Sequence, residues 1–141
     1  PPHVSQDDFK EGMARLAGAV NIVTTDGPAG KSGFTASAVC SVTAEPPTLL
    51  VCLNRSSSAA AAFAGNTAIC INTVGPRHKD VAMLFGGKTP MEDRFEAADW
   101  SAGITGAPIL TDAVVSFDCI AGDPAGPGLA YYARKFHELE V

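Results

Sequence analysis

The chain lacks the compact motifs that announce most catalytic centres. It has no CxxC pair, no HExxH, no P-loop and no GxGxxG. A zinc knuckle, a dithiol redox centre, a zincin-type metal site and a doubly wound dinucleotide site are therefore not indicated. Gly27, Gly30 and Gly33 recur every three residues, but they lie in a turn and no long helix follows. The three histidines stand far apart at 3, 78 and 137, so no metal is expected. No hydrophobic run approaches the length of a membrane span. Basic residues are outnumbered, 10 against 15, for a net charge of −5, which speaks against nucleic acid as a partner. The first residues show no basic stretch followed by an apolar core, so a secretory signal is not expected.

What is present is a slightly apolar globular composition, 46% hydrophobic over 141 residues, enough for one domain with a real core. Four cysteines sit at 40, 52, 70 and 119. Three of them fall in apolar strand-like runs, and buried free thiols in a reducing cytoplasm are the simple expectation.

Periodicity orders the chain. A first helix is predicted over about residues 8–16, capped by Asp7 or Asp8, with Phe9, Met13 and Leu16 forming an apolar face. A strand follows over 19–25. A turn at 26–30 leads to the small, hydroxyl-rich stretch 31–42, read as one strand or strand-like edge. Further strands are expected at 48–53, 68–73, 113–120 and 129–132. Short helices are expected over 58–64 and 78–85, and a polar surface excursion over 88–98. Several separate strands with short helices suggest a mainly β domain, a barrel.

Two polar clusters carry the candidate chemistry. In the first, Thr35, Ala36 and Ser37 combine small size with hydroxyl donors, which lets a flat or anionic ligand approach the backbone. In the second, Asn54, Arg55, Ser56, Ser57 and Ser58 follow a strand and precede a helix, a set able to hold a phosphate. A glycine-bounded structural strand and an ordinary helix cap explain the same residues, and both readings stand at this level. Asp93-Arg94-Phe95 reads either as a salt-bridged turn with one aromatic anchor or as a direct ligand contact. His137, near Arg134 and Lys135, is either a surface histidine or a group that orients an anionic cofactor. No nucleophilic triad can be assembled, which suits a reaction that needs no protein nucleophile.

Taken together, these residues resemble the short-chain flavin-reductase-like proteins. The matching text is FKEGMARL at 9–16, AVNIVTT at 19–25, GFTASAVCSV at 33–42, PPTLLVCLN at 46–54, FGG at 85–87, DRF at 93–95, SFDC at 116–119, GLAYY at 128–132 and RKFH at 134–137. The likeness is greatest to reductases that serve 4-hydroxyphenylacetate 3-monooxygenase and the pyrimidine-degrading monooxygenase. It implies an FMN-binding, Greek-key split β-barrel with short flanking helices. It also implies hydride transfer from NADH or NADPH to FMN or FAD, reduced flavin passed to a partner monooxygenase, and a cytoplasmic homodimer.

By the same resemblance, Thr35, Ala36 and Ser37 run beside the isoalloxazine. Cys52, Asn54 and the serines to Ser58 match the ribityl and phosphate side, and Phe85 and Gly86 match a rim or subunit contact. His137 lies near the nicotinamide. Members of the family carry a longer segment between Cys119 and Gly128, so a missing or deleted stretch near 120–127 is expected in this single domain. A non-catalytic flavin- or haem-binding module, or a dimer that has lost its ligand, are the competing functions.

Overall fold

The computed structural model describes residues 2–16, 18–122 and 130–136, the last segment as backbone. The fold opens with helix α1 (Gln6–Arg15). Its cap is Ser5, not Asp7 or Asp8: the Ser5 hydroxyl accepts the Asp8 N–H at 3.0 Å. Both aspartates instead occupy the first turn, where negative charge favours the helix dipole. The apolar face does not pack on the domain. Phe9, Met13 and Leu16 are 59%, 49% and 67% exposed, and no α1 residue is buried.

Strand β1 (Asn21–Asp26) pairs antiparallel with β2 (Ser32–Ala36), Asn21 opposite Ala36 and Thr25 opposite Ser32. The turn between them needs Gly27 and Gly30, both at positive φ. The stretch 31–42, expected as one edge, is two strands. It breaks at Ser37 and Ala38, and β3 (Val39–Ala44) then pairs with β4 (Pro47–Val51). The connection carries a cis Glu45–Pro46 peptide. After β4 come helix α2 (Ala60–Gly65) and β5 (Ala68–Thr73), the latter with the bounds expected from its β-branched pattern.

A 3₁₀ turn (Pro76–His78) leads into α3 (Lys79–Gly86). The polar excursion expected over 88–98 contains a helix, α4 (Met91–Glu96), with Arg94 and Phe95 buried. A small hairpin of β6 (Trp100–Ala102) and β7 (Pro108–Leu110) follows. Strands β8 (Val115–Ala121) and β9 (Ala130–Phe136) complete the described residues.

The main sheet is antiparallel, in the order β2-β1-β5-β8-β9-β4-β3. It curls on itself. One core cluster joins Val23 of β1, Phe34 and Ala36 of β2, Ile69 and Ile71 of β5 and Cys119 of β8 to Val51 of β4, near the other end of the ladder. Ile22, the neighbour of Val23, points the opposite way into a second cluster with Val81 and Phe85 of α3, Phe95 of α4 and Leu110 of β7. β1 is thus buried on both faces, by the curled sheet and by the helix layer. The mainly β architecture with short flanking helices is as expected, and among the described residues the ladder ends in two edge strands, β2 and β3, each paired on one side.

Inside the sheet, Asn72 is a fully buried polar hub. Its Nδ2 donates to the Ile22 carbonyl at 2.9 Å, while Oδ1 accepts from Leu110 N–H at 2.9 Å and from the Ser116 hydroxyl at 2.8 Å. These bonds fasten β5 to β1, β7 and β8 and satisfy groups that would be costly to bury alone.

Candidate functional site

The break between β2 and β3 opens onto a cleft of about 840 Å3. That is a size suited to a cofactor or small molecule. Its first wall is the end of β2 and the break, Phe34 to Ala38. The segment after β4 supplies Cys52, Leu53, Asn54, Ser56, Ser57 and Ser58. The rim after α3 supplies Phe85, Gly86, Gly87, Lys88, Thr89 and Pro90, and α4 adds Met91 and Arg94. Both polar clusters singled out in the sequence therefore meet in one place. Arg55 is exposed and is not among the lining residues. His137 lies outside the described residues.

Each cluster also has internal duties. The Thr35 hydroxyl donates to the Ala82 carbonyl, so its hydrogen is already engaged with α3. Asn54 Oδ1 accepts from the N–H and the hydroxyl of Ser56, at 3.0 and 2.9 Å, a tight Asx turn. Ser57 Oγ accepts the Ala59 N–H at 3.2 Å and so serves the start of α2. Ser57 thus serves both the approach to α2, whose cap residue is Ala59, and the cleft wall.

The sequence reading named Phe85 and Gly86 of the rim but not Gly87, Lys88, Thr89 and Pro90. Arg94 is only 3% exposed and meets no carboxylate among the described residues, contrary to the salt-bridged turn expected of Asp93-Arg94-Phe95. Its Nε donates to Thr89 O at 2.7 Å, Nη1 to Gly33 O at 2.9 Å and Phe85 O at 3.3 Å, and Nη2 to Gly87 O at 2.9 Å. Burial pushes its pKa below the ordinary arginine value. Phe85, expected at a rim or subunit contact, lines the cleft from a core position 1% exposed. It packs edge-on against Phe95 at 5.1 Å. The signal for this rim was faint in the sequence: two glycines, a lysine and one arginine in a polar run.

The thiols divide otherwise than expected. Cys70 and Cys119 are buried, but Cys40 and Cys52 are exposed, and Cys52 lines the cleft. Desolvation first, then the charge of Asp118, pushes the Cys119 thiol up to about 12, and Cys70 is raised in the same way. His78, read only as the start of a helix, is a buried structural group. Its Nδ1 accepts the Gly75 N–H at 3.0 Å, and its Nε2 lies 3.1 Å from Asp112 Oδ1, off the axis of a good hydrogen bond. It lines a second, mostly apolar cavity of about 760 Å3 that shares Thr35 and Gly86 with the cleft.

The electrostatics of the cleft are its most informative property. Its described lining contains two cations, Lys88 and Arg94, the hydroxyls of Thr35, Ser37, Ser56, Ser57, Ser58 and Thr89, and no carboxylate. In a chain with net charge −5, this is a local site for an anion. Beside it, Thr35 to Ala38 are all small residues. A ligand with a planar ring and a phosphate fits this donor set.

Among the described residues no helix is long and apolar enough to cross a membrane, and no cluster of three or more His, Cys, Asp or Glu is placed to hold a metal. A protein of Cronobacter sakazakii named FMN reductase (NADH) RutF is 62% identical over 154 aligned positions, covering 95% of this chain and 93% of its own length. A structure from Haemophilus somnus, assigned as a flavin reductase, is 40% identical with a TM-score of 0.86, covering 96% of this chain and 89% of its own. BorF, the flavin reductase component of a bacterial two-component tryptophan halogenase, shares the fold with a TM-score of 0.82 at 22% identity, over 97% and 89% of the two chains. The flavin reductase like domain family matches residues 13–125, and the chain belongs to that family.

Proposed function

We propose that this protein is an NADH-dependent FMN reductase whose reduced flavin serves a separate flavin-dependent monooxygenase component. The observation that carries the reading is the described cleft lining, without a carboxylate, with Lys88, Arg94 and six hydroxyl side chains beside the small residues Thr35 to Ala38. The names of similar proteins favour FMN over FAD and NADH over NADPH. The flavin, when bound, supplies the chemistry: it accepts a hydride from the nicotinamide together with a proton from solvent. The protein's part is to bind and orient. Thr35, Ala36 and Ser37 form the wall for the ring; Cys52, Asn54, Ser56, Ser57 and Ser58 face the ribityl and phosphate; Phe85 and Gly86 close the rim. Small side chains at Ala36 and Ala38 leave room for the nicotinamide. His137 is assigned to the nicotinamide side, and Arg55, exposed and off the described lining, faces solvent rather than the ligand.

The working unit we infer is a homodimer, because the apolar residues Phe9, Met13 and Leu16 of α1 and Val42 of β3 are left bare in one copy. A reducing cytoplasm suits the exposed, unpaired Cys40 and Cys52. The chain 1–141 is one domain with a segment missing near 120–127 relative to its family. The alignment of 154 positions, longer than the 141-residue chain, supports that reading.

The test is steady-state oxidation of NADH and of NADPH with FMN, FAD or riboflavin. A flavin-dependent rate highest with NADH and FMN is expected. Tight flavin binding with no turnover overturns the enzymatic reading in favour of a binding module.

A further inference from the structure

The rim of the cleft is built on two adjacent glycines, Gly86 and Gly87, which by themselves give a chain little reason to hold one shape. Four carbonyls around it nevertheless converge on one side chain. Arg94 bonds Gly87 O and Thr89 O on the rim, and Gly33 O and Phe85 O beneath it, at 2.7 to 3.3 Å. Lys88 lies between the two rim carbonyls so held. Because the Arg94 guanidinium is buried and engaged with carbonyls, Lys88 is the exposed cation of the described cleft lining.

We infer that Arg94 is a positioning residue: it fixes the Gly86–Pro90 rim and thereby sets Lys88 against the anionic group of the ligand. The inference rests on the flavin reading above and deepens it, making the rim the source of discrimination between phosphorylated and unphosphorylated flavin. A planar, forked guanidinium can reach carbonyls from three directions. A lysine at 94 keeps the charge but presents a single point, and cannot span them.

The experiment measures dissociation constants for FMN and riboflavin, which differ only in the phosphate, in the parent, Lys88→Met, Arg94→Lys and the double variant. The parent should prefer FMN. Lys88→Met should reduce that preference about tenfold, the scale of one charge-assisted contact. Arg94→Lys should reduce it by a similar factor although the charge is kept, and the double variant should lose no more than either single one. The ratio is taken on one preparation, so a lower folded fraction cancels. Millimolar guanidinium added to Arg94→Ala should restore the preference.

An unchanged FMN-to-riboflavin ratio in Arg94→Lys, or losses that multiply in the double variant, overturns the inference. A parent that binds neither flavin defeats the flavin reading instead. The rim restraint is then judged by amide hydrogen exchange across residues 86–90 without ligand. Faster exchange in Arg94→Lys sustains the restraint, and unchanged exchange defeats it.

Discussion

The hydroxyl of Thr35 donates to the carbonyl of Ala82, a bond that ties β2 to α3 across the back of the cleft. The residue that the sequence offers as a ligand donor thus spends its hydrogen on the scaffold. Thr35→Val should lower unfolding free energy by about 0.5–1.5 kcal/mol, with Thr35→Ser close to the parent. Flavin affinity should respond to Ser37→Ala rather than to Thr35→Val. Denaturant titration and flavin fluorescence on the three variants check the division; a Thr35→Val protein of parental stability contradicts it.

Gly33 sits where a side chain has no room. An added Cβ would stand 2.6 Å from Cε1 and 2.9 Å from Cδ1 of Phe85, and 3.1 Å from the Val23 carbonyl. The Phe85 ring cannot swing aside, being packed against Phe95 and Trp100. Gly33→Ala should destabilise by about 1–3 kcal/mol, the usual cost of overpacking. It should also weaken flavin binding, because Phe85 lines the cleft and the Gly33 carbonyl anchors Arg94. Thermal denaturation with and without FMN measures both effects.

The four thiols should titrate in two classes. Cys40 and Cys52 are exposed, whereas Cys70 and Cys119 are buried with raised pKa values, so little thiolate forms on them near neutral pH. A chromogenic disulfide reagent should modify two cysteines in the folded protein and the other two only on unfolding. Saturating FMN should slow the reaction of Cys52 selectively, because it lines the cleft, and mass mapping identifies the site. Equal protection of Cys40 and Cys52 would contradict this.

Acid should act partly through Asp112. Partial burial raises its pKa, but the contact with His78 and the charge of Arg77 pull it below the ordinary carboxylate value. A depressed pKa means that the group's contribution to stability is present above the ordinary value and is lost as pH falls through the folded one. Asp112→Asn should therefore lower stability by a constant amount between pH 6 and 8 and flatten the further loss below about pH 4. Unfolding midpoints at a series of pH values decide it; identical acid limbs in both proteins would rule Asp112 out.

How far the sequence could lead depended on how local each signal was. β5 was legible because Ala68–Thr73 is a β-branched run bounded by turn residues. The walls at 34–38 and 52–58 were legible because small size and hydroxyl content are properties of the residues themselves. Arg94 was not, because its burial depends on carbonyls brought from β2, from the end of α3 and from the following loop. Nothing within DRF announces that. α4 was obscured by having only Met91 and Phe95 as apolar marks. The apolar stripe of α1 was read correctly as a stripe, but periodicity does not say whether a partner from the same chain will cover it.

The order of strands has a consequence for how the site comes into being. β2 and β3 are separated by two residues in sequence but by five strands along the ladder. Among the described residues, the half formed by β2, β1, β5 and β8 joins the half formed by β4 and β3 only through β9, the last strand. Without β9, the Phe34–Ala38 wall and the Cys52–Ser58 wall are held together by the Cys52 N–H to Ala38 carbonyl bond and by Val51 in the core beside Phe34, with no continuous ladder between their sheets among the described residues. During synthesis the continuous sheet behind the cleft is therefore a late product, closed only when Ala130–Phe136 has been delivered.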